Sequence, residues 1–149
     1  TGTDASTMKG EEFTALAGRL AASKSDAASC RTAISRAYYG AFHRCREFLD
    51  SLGLITPRLA NAHVLLQHRL NNAGVQALCD AASLLADLHS DRLAADYQLD
   101  VDRVESNTLA RSCGERSMRI ASLLDGCEDQ PSRENIRKAI AEYERKLTP

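Results

Sequence analysis

The chain has 149 residues and a formal net charge of −1, from 19 lysines and arginines against 20 aspartates and glutamates. This length corresponds to one domain, the 44% hydrophobic content excludes a wholly disordered chain, and the charge excludes a globally basic nucleic-acid binder. Any polyanionic partner must therefore bind a local basic surface.

Few helix-breaking residues interrupt the chain, which has only three prolines and eight glycines. No segment alternates polar and apolar residues over the length of a strand, so the sequence predicts an all-α fold. The first helix is predicted over 10–23. A second, longer helix is capped by Ser25 or Asp26, reaches Leu52 and is ended by Gly53.

Four further helices follow along the chain. Asn61 caps the third, which ends at Leu70; the fourth is predicted over 75–97, the fifth over 102–124, and the last begins after Pro131. Short connections between such helices favour antiparallel neighbours. The sequence therefore predicts an antiparallel up-and-down bundle of about five helices over 8–125, with a C-terminal helix over 131–147 as an extension of the same domain.

The composition also predicts where the protein resides. No apolar run approaches the roughly 18 residues of a membrane-spanning helix, and the first nine residues lack the order of a signal peptide. The five cysteines are widely spaced, which excludes a CxxC zinc or redox motif and favours a reducing compartment. We therefore expect a cytoplasmic protein that uses no metal or other cofactor and does not bind membranes.

The second helix has two distinct faces at 100° per residue. One is apolar and predicts the core. The other is polar and aromatic, and Arg36 and His43 lie two turns apart on it with Tyr39 between them. The apolar face comprises Ile34, Tyr38, Ala41, Cys45, Phe48 and Leu52, and the polar face comprises Arg36, Tyr39, His43, Arg46 and Asp50.

Three interpretations of the polar face are open. It can be a solvated surface with one exposed tyrosine. It can be a homodimer seam or a ligand groove, because aromatic residues beside arginine are enriched at interfaces. It can also be a catalytic site in which Arg36 and His43 act directly.

The fourth helix continues its apolar stripe with charged residues, since His89, Arg92 and Asp96 follow Leu78 and Leu85 on one face. A partly buried arginine must be paired or hydrogen-bonded. One interpretation is an internal Arg92–Asp96 ion pair that sets the helix register. The other is a cationic cleft in which Arg92 binds a phosphate and His89 or His43 transfers a proton.

The predicted third helix carries two histidines that could in principle bind a metal ion. His63 and His68 are five residues apart and do not share a face, so the sequence does not predict a two-histidine metal clamp. We expect both side chains to lie at the surface or to serve packing.

Two motifs carry a family resemblance. The run AISRAYYGAFH at 33–43 resembles the second-helix hallmark of HEPN-domain proteins. The run RLAADY at 92–97 is similar to the later signature of the small stand-alone HEPN branch, and its interval and helical context agree. The resemblance covers about residues 8–124 and leaves the last helix outside.

The resemblance implies a dimeric helical bundle from a toxin–antitoxin or defence system, often encoded beside a minimal nucleotidyltransferase. Active members are metal-independent ribonucleases whose pattern is an arginine, four to six residues, then a histidine. With four residues after Arg92, Tyr97 stands at the histidine position, whereas Arg36 and His43 match the six-residue spacing in the other helix.

These observations predict a HEPN-type module, dimeric and cytoplasmic, that binds a partner nucleotidyltransferase, a nucleotide or RNA. The alternative is an active metal-independent endoribonuclease. The candidate catalytic residues are Arg36, His43 and Arg92. Residues expected to line the ligand site or the interface are Tyr39, Arg46, His89, Asp96 and Tyr97.

Overall fold

The computed structural model describes residues 7–22 and 26–148, which form six α-helices and one 3₁₀ turn and contain no β-strand. This architecture confirms the predicted all-α class and the antiparallel bundle. In chain order the elements are α1 (Gly10–Ala22), α2 (Ala27–Ser51), α3 (Ala62–Asn71), α4 (Gln76–Tyr97), the 3₁₀ turn (Asp102–Glu105), α5 (Asn107–Asp125) and α6 (Gln130–Leu147).

Local capping chemistry sets both ends of α2. The Asp26 side chain accepts a hydrogen bond from the Ser29 amide at 2.8 Å, so Asp26 is the N-cap. Gly53, with φ of +82°, turns the chain away after the last helical residue, as predicted. The alternative cap, Ser25, and the predicted last residue of the first helix, Ser23, lie outside the described residues.

The prediction of one continuous fifth helix over 102–124 is wrong. Residues 102–105 form a separate 3₁₀ turn, and Ser106 has extended backbone dihedrals. Its side chain accepts a hydrogen bond from the Leu109 amide at 3.3 Å and so caps α5. The break arises because a serine that caps the helix after it cannot also continue a helix before it.

The core is centred on α2, which packs against α1, α4 and α5. The apolar face predicted for this helix is confirmed, since each of its members is buried. Gly40, on the side facing α1, allows a close approach of the two helices: a β-carbon built on it would lie 2.8 Å from the Thr14 amide nitrogen.

The C-terminal end of α4 is held by one arginine of α2. Arg31 donates hydrogen bonds of 2.9–3.3 Å to backbone carbonyls, and these carbonyls lie on both sides of the helix end. A helix leaves its last carbonyls without intrahelical donors, so Arg31 satisfies them and orders the last turn of α4. The acceptors are the carbonyls of Ala94, Ala95, Gln98, Leu99 and Val101.

Helix α6 is attached to the bundle by apolar and ionic contacts. Ile136 and Ile140 are buried, and the Arg69 guanidinium on α3 pairs with Glu144 at 2.6 Å. The Asp129 side chain caps the helix on the Ser132 amide at 2.9 Å. None of the helices described is both long and apolar enough to cross a membrane.

Candidate functional site

Two arginines from different helices converge on the ring of Tyr39. The guanidinium carbon of Arg36 lies 5.2 Å from the ring centroid, and that of Arg92, on α4, lies 5.1 Å from it. Arg92 Nη2 also donates a 2.6 Å hydrogen bond to the Tyr39 hydroxyl. The electron-rich ring therefore stabilises two cations that would otherwise repel each other.

Arg92 is packed among groups that fix its position, with a side chain only 15% exposed. Its Nε lies 2.9 Å from Asp96 Oδ2, which confirms the predicted ion pair, and Ser35 Oγ donates to the same oxygen at 3.1 Å. Nε is buried and its N–H makes no hydrogen bond, so the attraction to Asp96 is purely electrostatic. Tyr97 packs beside the guanidinium, with its centroid 5.3 Å away, and is 69% exposed.

Arg36 has fewer polar partners than Arg92 among the described residues. Within the described part of the chain no carboxylate lies within ion-pair distance of it, and its only hydrogen bond is a 3.4 Å contact to Ser35 Oγ. Asp96 is thus the one carboxylate paired with either arginine of this site among those residues. The Arg36–Arg92 site, meaning these two arginines with Tyr39, Asp96 and Tyr97, carries a surplus of positive charge on a chain whose net charge is −1.

His43 lies at the edge of this site. Its ring stacks on Phe13 of α1 at a centroid distance of 5.8 Å and on Tyr39 at 6.3 Å. Arg36 also lies over Phe13, at 5.2 Å, so Arg36 and His43 contact the same two rings. Burial lowers the pKa of His43, and the charge of Arg46 adds to this, so the imidazole is neutral at pH 7.

A second cluster borders Arg92 and includes a residue that the sequence did not assign to a site. The rings of His63 and His89 stack with centroids 3.6 Å apart and an interplanar angle of 17°. The Tyr38 hydroxyl lies 3.0 Å from Nδ1 of His63. The prediction that His63 lies at the surface or serves packing is confirmed, since its ring packs on that of His89, but no local spacing could reveal these partners, because they are 25 and 26 positions away along the chain.

The titration behaviour of these histidines follows from their surroundings. Burial, the neighbouring His89 ring and the Arg92 charge together lower the pKa of His63 to about 4. Burial and Arg92 likewise lower the pKa of His89. Burial raises the pKa of Tyr38, with a smaller contribution from Tyr39. At pH 7 both imidazoles are therefore neutral, and the Tyr38 hydroxyl keeps its proton in the hydrogen bond with His63.

Only some residues of the predicted polar face of α2 lie in or beside the Arg36–Arg92 site. Tyr39 packs against the core, so the interpretation as a solvated face with an exposed tyrosine is wrong. Arg46 pairs with Asp50 at 3.7 Å and is not joined to the Arg36–Arg92 site by any contact of the described residues. Of the eight predicted site residues, seven lie in or beside the site, in the order Arg36, Tyr39, His43, His89, Arg92, Asp96 and Tyr97.

Two grooves lie along α1, and the smaller one reaches His43 at the edge of the site. A groove of about 220 Å³ adjoins His43 and is lined by Phe13, Lys9 and Glu47 among others. A larger groove of about 500 Å³ lies on the other side of α1, between α1 and α5. The described residues contain no cluster of three or more histidine, cysteine or carboxylate side chains that could hold a metal ion.

No protein-family model, curated protein or solved structure matches this chain. The HEPN resemblance therefore stays a prediction from the two sequence motifs.

Proposed function

We propose that the protein is a HEPN-type binding module of a toxin–antitoxin or defence system, and that the Arg36–Arg92 site binds the phosphate of a nucleotide or of RNA. Guanidinium groups bind phosphate oxygens through charge-assisted, often bidentate hydrogen bonds. An exposed aromatic ring beside a cation, such as Tyr97, offers a surface on which a base can stack.

The observation that carries this proposal is the charge balance at Tyr39. Two guanidinium groups lie within 5.2 Å of one ring centroid, and one carboxylate accompanies them. Arg36 has its guanidinium available because Ser35 is a weak partner at 3.4 Å. The arginine pair elsewhere in this bundle differs in this respect: Arg103 and Arg116 are each paired with Asp91, at 2.8 and 3.2 Å, whereas Arg36 is paired with no carboxylate of the described residues.

Replacing Arg36 with alanine is expected to weaken binding of a short oligonucleotide by about tenfold or more, because one charge-assisted phosphate contact is lost. Arg36 forms no ion pair within the described residues but lies over the Phe13 and Tyr39 rings, so the thermal midpoint of the variant should fall by only a few degrees. The measurement is fluorescence anisotropy with a labelled 2′-O-methyl oligouridine, whose blocked 2′ positions prevent cleavage.

The matched control is Arg137→Ala. Arg137 is an arginine of α6 that pairs with Glu134 at the surface, 2.7 Å apart. Its loss changes the net charge by the same amount and leaves the site intact. Equal weakening by both substitutions would reduce the effect to general electrostatics, and no binding by the native protein would contradict the proposal.

The resemblance adds partners to this proposal. A second copy of the chain would bring a second site close to the first, and a nucleotidyltransferase would be the antitoxin partner. The supporting observation is that Leu93, Tyr97 and Leu99 are exposed at the end of α4 that carries the site. Exposed apolar side chains that form a contiguous patch often mark a surface to which another protein binds.

The second candidate function is cleavage of RNA, supported by the shared contacts of Arg36 and His43 with Phe13 and Tyr39. A neutral His43 can accept the proton of a ribose 2′-hydroxyl, whose oxygen then attacks the adjacent phosphorus and displaces the 5′ oxygen, which takes a proton from water and leaves as a hydroxyl group. Arg36 would offset the charge that accumulates on the phosphate. The product would end in a 2′,3′-cyclic phosphate.

If this reaction occurs, we expect cleavage of unstructured RNA to persist in EDTA and to be lost in His43→Ala. His68→Ala is the control, because His68 is an exposed histidine on α3. Denaturing gels and mass spectrometry of the termini provide the measurement. Cleavage that survives the His43 substitution would remove this residue from the mechanism, and no cleavage of any RNA would leave the binding function alone.

A further inference from the structure

The stacking of the His63 and His89 rings holds the His89 ring in a fixed plane. His63 is held from α2 by the 3.0 Å hydrogen bond to Tyr38, and His89 lies face to face on it at 3.6 Å. Tyr38 also contacts the His89 ring directly, with centroids 5.4 Å apart. In the part of the chain that the structure describes, neither ring nitrogen of His89 is hydrogen-bonded, so its polar edge is available while its plane is fixed.

This ring edge belongs to the same helix face as Arg92, one turn earlier on α4. Among the described residues, the titratable and charged groups that face it are Tyr38 from α2, His63 from α3 and Arg92 from α4 itself, and none of the carboxylates interacts directly with it. Asp96 reaches the cluster only through Arg92. Within the described part of the chain, the charge that acts directly on His89 is the positive charge of Arg92, so the surroundings of this ring favour an anion.

We propose that His89, supported by His63 and Tyr38, is a third anion-binding group of the Arg36–Arg92 site and binds the phosphate in its protonated form. This inference rests on the proposed function, since it names a further residue of the same site. His63 and Tyr38 are positioning residues in it: they hold the His89 ring and do not touch the ligand.

The protonation follows from the electrostatics. Without a ligand, burial and the Arg92 charge keep His89 neutral. A bound phosphodiester places a negative charge beside Arg92 and offsets its effect, which raises the pKa of His89 and draws a proton onto the ring. Binding thus takes up a proton, and by linkage the affinity must increase as the pH falls.

We expect the affinity for the 2′-O-methyl oligouridine to rise by about tenfold between pH 8 and pH 5.5, the scale for uptake of close to one proton at a histidine. Phosphodiesters and uridine bases do not titrate in this range, and side-chain carboxyl groups titrate mostly below it. Histidines are then the class of side chain expected to change charge, and His63, whose pKa is lowered to about 4, stays neutral throughout. The measurement is the dissociation constant at several pH values and constant ionic strength.

The His89→Phe variant keeps a ring for the stack and removes both nitrogens, so its affinity should no longer rise about tenfold between pH 8 and pH 5.5. His68→Phe makes the same change at an exposed position of α3 and should keep the rise. In the native protein, NMR titration of the assigned imidazole C–H signals should show the pKa of His89 increasing on binding. This measurement decides the matter if His89→Phe does not fold.

The outcomes separate the two proposals. Binding that is strong at pH 8 but does not change with pH, with no shift of a histidine pKa, would overturn the role of His89 and leave phosphate binding standing. A pH dependence that survives in His89→Phe would also overturn it. Absence of binding at every pH would overturn the proposed function and this inference together.

Discussion

Replacing Gly40 with alanine is expected to lower the free energy of unfolding by about 3 kcal/mol, the upper range for overpacking a closely fitted interior. The added methyl group would overlap the Thr14 side chain and lie 2.8 Å from the Thr14 amide nitrogen. Thr14 cannot rotate aside without loss, because its hydroxyl is hydrogen-bonded to Ser117 at 2.8 Å. Helix α1 must therefore move away from α2.

The matched control is Gly18→Ala on α1. A β-carbon at Gly18 meets nothing within 4 Å, so this substitution should stabilise the protein by about 0.5–1 kcal/mol through helix propensity. Urea denaturation measures both changes. A Gly40→Ala variant as stable as the native protein would mean that α1 and α2 separate without cost, contrary to the close packing seen here.

The same displacement is expected to affect the site. Phe13 is the α1 residue that packs against Arg36 and His43, at 5.2 and 5.8 Å. If α1 moves outward, both side chains lose this support, and oligonucleotide binding should weaken even in the fraction that stays folded. Gly40, which allows the close approach of α1 and α2, therefore also helps to position Arg36 and His43.

Replacing Arg92 with alanine is expected to lower the free energy of unfolding by about 1–3 kcal/mol and to abolish measurable oligonucleotide binding. The substitution removes contacts to three tyrosine rings and leaves Asp96 without its cation. The Asp96 side chain is 27% exposed, so water recovers part of the lost ion pair. For a chain of this length the thermal midpoint should fall by roughly 3–10 °C.

Two companion variants separate charge from packing. Arg92→Lys keeps the positive charge but loses the planar group, so we expect intermediate stability and weak binding. Asp96→Asn keeps the shape and removes the counter-charge, and it should cost less stability than Arg92→Ala. A thermal midpoint for Arg92→Ala equal to that of the native protein would show that this arginine serves only the ligand.

Much of the helical architecture could be predicted from the sequence, because helix formation depends on patterns within a few residues. The periodicity of α2 predicted its buried face, and Asp26 and Gly53 marked its ends. The Arg92–Asp96 pair was predictable for the same reason, since its partners are one turn apart. The break at Ser106 was missed because serine is compatible both with a continuing helix and with the N-cap of a new one, and only the extended backbone shows that it caps α5.

The sequence predicted which residues of the candidate site share a helix face but not which helix faces meet. Periodicity placed Arg36 and Tyr39 on one face of α2 and placed His89 and Arg92 on one face of α4, but it could not show that the two faces meet at the Tyr39 ring. His63 shows the limit most clearly, because its hydrogen bond to Tyr38 and its stack on His89 join three helices.

The sequence by itself determined the helical class, the core face of α2 and the types of charged and aromatic side chains available for chemistry. The tertiary structure decided which of them converge: two guanidinium groups on one ring, one carboxylate beside them, and two imidazoles held neutral by burial and by Arg92. The physical reason is that helix propensity and periodicity act over one or two turns. Contacts between helices depend on crossing distance and register, which here are set by close approaches such as that of Gly40 to Thr14.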